Sequence, residues 1–151
     1  MSEHRLSLSW SRGEHAFTYD TYPREHVWSF DDGTPDIRAS AAPGYLGHAD
    51  ALDPEQALVG AIASCHMLTF LAIAAKKRWV VERYAGDAVG TLGKNEGGRM
   101  AILDVTLHPE IEFGGDKIPD AEEIAAVHEK AHKHCFIGNS VNFPVRVVHA
   151  V

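Results

Sequence analysis

The stretch 53-DPEQALVGAIASCHMLTFLAIAAKKRW-79 reads as one long helix with a cysteine at its centre. Asp53 is suited to cap the first turn, Pro54 fits the first helical position where no amide hydrogen is needed, and Gln56 stands three residues after the cap, as a capping box requires. At the other end Lys76, Lys77 and Arg78 put positive charge where the helix dipole is negative, and Val80 and Val81 change to strand-like residues. Between these ends Leu58, Val59, Ile62, Met67, Leu68, Phe70, Leu71 and Ile73 spread around most of the circumference, so the helix is expected to be buried nearly all round. It is long enough to span a bilayer. Ser64, Cys65 and His66 at its middle, and the polar, strand-rich remainder, instead predict the central helix of a soluble protein. A short chain has little material to cover such a helix on every side, so a homodimer is expected.

At 151 residues the chain is expected to form a single domain over 1–151. Its formal net charge of -7 disfavours nucleic acid as a partner. The opening MSEHRLSLSW lacks the apolar run of a signal peptide, which predicts a cytoplasmic location. Its two cysteines are too few for a disulfide framework; in a reducing compartment they would be free, catalytic or simply buried.

Leu6, Leu8 and Trp10 alternate with serines and predict a half-buried strand ending near Gly13. Ala16–Tyr19 and Glu25–Phe30 predict further strands around Pro23, with a turn at Asp31–Thr34, and Ile37–Ser40 another short one. Arg24, just beyond Pro23, reads by itself as a surface charge. A loop, Ala41–Leu52, leads into the long helix. Beyond it, Ala88–Lys94 and Arg99–Phe113 flank Asn95-Glu96-Gly97-Gly98 as a hairpin. Asp120 caps a second helix from Ala121 to about His134, with Cys135 at its end, and Val145–Val148 is a last strand. This order predicts an α+β domain with antiparallel sheets packed on the long central helix.

Three constellations carry possible chemistry. Cys65 and Cys135, seventy residues apart, cannot form a local CxxC site and on composition alone would be core residues. The polar setting Ser64-Cys65-His66 within the most apolar part of the chain raises Cys65 above that reading, because a reactive thiol needs neighbours that help it ionise. His128-Glu129-Lys130-Ala131-His132 matches the HExxH pattern of zinc hydrolases, with both histidines on one helix face. A third ligand is missing from its usual place, only His134, Cys135 and His149 being on offer, so no metal centre is expected and the two histidines read as surface residues of an amphipathic helix. Glu55 in the first turn of the long helix favours the dipole without any functional role.

The run DPEQALVGAIASCHMLTF, the segment AHKHCFIGNS and the strand-rich start with Arg24 resemble the OsmC/Ohr family, named for osmotic induction and organic hydroperoxide resistance. The resemblance covers about Arg24 to Val148. It implies an intertwined homodimer of α+β protomers and thiol-dependent reduction of organic hydroperoxides without a cofactor. By matching position Cys65 would be the peroxidatic cysteine and Cys135 the resolving one, joined in a disulfide on turnover. Arg24 would hold Cys65 as thiolate, and Glu55 would orient the guanidinium. The reductant implied is a dithiol, typically of a lipoylated protein. Members often carry proline after the second cysteine, where this chain has Phe136. A reading of a different class is a non-catalytic member that binds a small apolar ligand, its cysteines serving as core.

Overall fold

The computed structural model describes residues 1–149. The chain divides into two compact units, one from Met1 to Ala57 and the other from Leu58 onward.

In the first unit three short strands, β1 (Ser7–Ser9), β2 (His26–Ser29) and β3 (Ile37–Ala39), form an antiparallel sheet in sequence order. The expected half-buried first strand is instead exposed throughout, with Leu8 and Trp10 on the surface. The strand expected at Ala16–Tyr19 does not form. Thr18 and Thr21 share a 2.6 Å hydroxyl bond, and the amides of Thr21 and Tyr22 both donate to the Thr18 carbonyl at 3.1 Å. Hydroxyls that offer the backbone local partners favour a turn over a ladder. After β3 the chain closes on itself: the Ser40 amide donates to the Leu52 carbonyl at 2.9 Å, and the amide of His48 donates to the buried Ser40 hydroxyl. Gly47 is needed here, because a Cβ would sit 1.6 Å from the Ala41 carbonyl oxygen.

The long helix, α1 (Pro54–Lys76), starts with the expected capping box: the Gln56 amide donates to Asp53 Oδ1 at 2.7 Å and the Asp53 amide to Gln56 Oε1 at 3.2 Å. It ends in a Schellman motif, with Trp79 N–H on the Ala74 carbonyl and Arg78 N–H on that of Ala75. Arg78 occupies the left-handed position, φ 61°, where glycine is usual. Only one stripe of α1 is buried within the chain, Ile62, His66, Phe70 and Ala74, spaced four apart. Ala61, Ser64, Leu68 and Ala72 lie exposed on the far side. The expectation of burial all round therefore does not hold for one chain alone.

The second unit sets that stripe against a sheet in the order β4 (Val80–Lys94), β5 (Met100–Gly114), β6 (Val145–Val147). The hairpin turns where expected, with Asn95 bridging to Gly98 and Arg99, but β4 begins at Val80, well before Ala88. The part of β4 before Ala88 contains Gly86, at φ 144°, whose missing side chain admits the His108 carbonyl oxygen that a Cβ would approach to 2.1 Å. The sheet is not wholly antiparallel, as β6 pairs in parallel with β5. The second helix, α2 (Ala121–His134), lies between β5 and β6 in the chain and has its own capping box from Asp120 and Glu123. Parallel neighbours need such a crossover rather than a tight turn. Two core clusters result. Phe70, Ala74 and Trp79 meet Val127 and Ala131 of α2, while Ile62 packs on Val105 and Leu107 of β5.

Candidate active site

Cys65 sits at the middle of α1, one position before the buried stripe, and is partly exposed; Cys135 is the residue that ends α2 and is 1% exposed. The structure brings these two sequence-predicted thiols together, and both are free. Cys135 accepts the Gly138 amide at 3.2 Å on its Sγ, and Thr69 anchors the Cys65 turn by donating its hydroxyl to the Cys65 carbonyl at 2.8 Å.

The two sulfurs are electrically unlike. Burial pushes the Cys65 thiol up, but hydrogen bonds led by the Ile137 amide, the Cys135 thiol and the Phe136 amide outweigh it and hold Cys65 below the usual thiol value. Cys135 is pushed up, by burial first and then by its bond to Cys65. These opposite directions favour Cys65 as the nucleophile of the pair. The amides of Phe136 and Ile137 went unnoticed in the sequence, since a backbone donor has no residue signature.

Cys65 opens onto a groove of about 910 Å³ between α1, α2 and the segment after Cys135. Ala61, Leu68, Ala72 and Ile137 make its surface apolar, and Phe136, 81% exposed, stands at its edge. Its charged lining is entirely basic, from Lys76, Lys77 and Lys130, in a chain of net charge -7.

The other expected site residues belong to the first unit. Arg24 donates to the carbonyls of Tyr22 (2.6 Å) and Tyr19, and its guanidinium lies 3.6 Å from the centre of the Tyr22 ring. With Trp10, Phe17, Tyr22 and His26 it lines a pocket of about 440 Å³ inside that unit. Glu55 stands in the first turn of α1, half-buried.

The HEKAH histidines differ from the expected pair of surface residues. His132 is exposed, but His128 is 2% exposed and its Nδ1 lies 3.0 Å from Nε2 of buried His66. Burial, joined by the charge of His132, lowers His66 to about 4; burial, joined by His66 and His149, lowers His128 to about 4. Both imidazoles are neutral at pH 7. The signal was present in the sequence, as His128 falls on the same helix face as Ile124, Val127 and Ala131.

A family model described as OsmC-like protein matches residues 47–150. Among solved structures, an OsmC-like protein of unknown function from Vibrio cholerae is 43% identical, superimposes with a TM-score of 0.95 and covers 99% of this chain and 100% of its own. An organic hydroperoxide resistance protein OsmC from Legionella pneumophila shares the fold at 17% identity and a TM-score of 0.70, each chain covered completely. One from Elizabethkingia anophelis does so at 18% and 0.73, over 99% of this chain and 97% of that one. No protein of curated function matches the chain.

Proposed function

We propose that this chain, which belongs to the family of OsmC-like proteins, is a thiol-dependent peroxidase that reduces organic hydroperoxides to alcohols. The observation that carries the reading is the thiol pair itself: Cys65, partly exposed at an apolar groove and held below the usual thiol value, beside a buried Cys135 pushed above it. The Cys65 thiolate attacks the outer peroxide oxygen, the O–O bond breaks, and the alkoxide takes a proton and leaves as alcohol. Cys65 is then a sulfenic acid. Cys135 attacks its sulfur, the S–O bond breaks, and the hydroxide leaves as water with the Cys135 proton, forming a Cys65–Cys135 disulfide. A dithiol, in our reading that of a lipoylated protein, restores both thiols by exchange.

Arg24 and Glu55 are the proposed arginine and its orienting carboxylate. For that pair to form, the guanidinium must exchange the Tyr22 and Tyr19 carbonyls for the Glu55 carboxylate. We assign the working protein to the cytoplasm, as a homodimer; the apolar outer face of α1 supports the dimer. The size of the groove also favours a second reading, a binding protein for a small apolar ligand that never turns over peroxide.

Titration of reduced protein with cumene hydroperoxide, followed by intact mass, separates the two. Loss of two hydrogens per chain, abolished by Cys65→Ser, is the expected result. Cys135→Ser should allow one turnover and leave oxidised Cys65. Persistence of both thiols under excess peroxide would leave the binding protein as the better reading.

A further inference from the structure

The histidines outside the thiol site form a cluster with an unsatisfied centre. His66 Nε2 and His128 Nδ1 share one hydrogen bond, and the outer nitrogens, His66 Nδ1 and His128 Nε2, are buried without a partner. A buried polar atom left unpaired costs about 1–3 kcal/mol, and two in one pair call for an explanation. His128 also borders a cavity of about 240 Å³ whose other polar lining is Glu129, His132 and His149. The His149 ring stacks on that of His128 at 5.1 Å. Of the three candidates the sequence offered as a third ligand for the HEKAH motif, the fold thus brings His149, two residues beyond β6, beside His128.

We infer that His128, His132 and His149 form a binding site for a divalent transition ion, zinc foremost, in the cavity between α2 and β6. Three imidazoles suit zinc, and His128 and His132, four apart on one helix, project from the same face. When His128 Nδ1 donates to His66 Nε2, Nε2 of His128 keeps its lone pair and is the ligand. His66 then fixes tautomer and ring orientation, as outer partners of metal-bound histidines do. Glu129 supplies a carboxylate at the rim. Among the described residues no three donor side chains already converge to hold an ion. Closure therefore requires the exposed His132 to change rotamer and the His149 ring to turn out of its stack on His128. This site is independent of the peroxidase reading.

The test uses the full chain, reduced, stripped with chelator and dialysed. Zinc is titrated by calorimetry, and cobalt(II) by absorbance, because thiolate ligation adds strong near-ultraviolet charge transfer that nitrogen and oxygen ligands lack. One ion per chain is expected, with a cobalt spectrum free of thiolate bands. His132→Ala and His149→Ala, both away from the fully buried core, should retain the wild-type circular dichroism and weaken binding by roughly 10-fold or more, the loss seen even when an outer-shell partner is removed. Absence of stoichiometric binding, affinity that survives either substitution, or a thiolate band reporting Cys65 and Cys135 as ligands would each overturn the site.

Discussion

At the scale of single residues, Phe136 decides more than its exposed ring suggests. A proline there would have no N–H, whereas the Phe136 amide is among the groups that hold Cys65 below the usual thiol value. Cys135 is already extended, φ -70° and ψ 113°, a conformation that tolerates a following proline. Phe136→Pro is therefore expected to raise the pH midpoint for Cys65 alkylation by iodoacetamide, read by peptide mass mapping. It should cut the rate at neutral pH roughly tenfold, the worth of one hydrogen bond to a charged group, about 1.5 kcal/mol. The direction follows from the sign of the shift: Cys65 lies below the usual thiol value because donors favour its thiolate, so losing a donor moves it up. Phe136→Ala keeps the N–H and should leave the midpoint where it is. An equal shift in both variants would assign the effect to the ring. The two cysteines were legible in the sequence by their setting and resemblance, while the amides were not. Neither was the His66–His128 bond, whose partners lie 62 residues apart.

At the scale of elements, what could be read was local. The Asp53 capping box, the Asp120 cap, the Asn95–Gly98 turn and the span of α2 rest on side chains within four positions of the backbone they satisfy. What escaped was settled by competition or by distance, as at the threonine-bonded turn replacing a strand at Ala16–Tyr19, and in the parallel pairing of β6. The end of α1 is a third case. Three basic residues read as a dipole-favoured terminus, but they also place Arg78 in the left-handed region, which costs a residue with a Cβ about 1–2 kcal/mol. Arg78→Gly relieves that cost, offset in part by the greater freedom of unfolded glycine. We expect a net gain of about 0.5–1 kcal/mol in urea unfolding, with an unchanged slope. A loss of stability would mean that the Arg78 side chain contributes more than its backbone strain removes.

For the whole molecule the open question is which chain completes the site. Glu55 and Cys65 are ten residues apart on one helix, about 15 Å along its axis. An arginine paired with that glutamate would reach the cysteine of a second chain more readily, with two α1 helices antiparallel across a twofold axis and their apolar outer faces covering one another. Sedimentation should then give a dimer. Mixing Cys65→Ser protein with Arg24→Ala/Glu55→Ala protein under mild denaturant should restore peroxide consumption, because each heterodimer gains one intact site. Verified exchange without recovery would place each site within a single chain.

The parallel pairing of β6 with β5 has a consequence in time. The β4–β5 hairpin closes through a short turn and is able to form early, but β6 can join only after everything from Gly114 to Val145 has been laid across the sheet. Cys135 travels in that late crossover. A nascent or refolding chain therefore passes through a stage in which the hairpin exists while Cys65 has no neighbouring thiol. A Cys65 oxidised at that stage would find no thiol to resolve it, but the Phe136–Ile137 backbone that favours its thiolate arrives in the same crossover, so the order of assembly delivers activation and protection of Cys65 together.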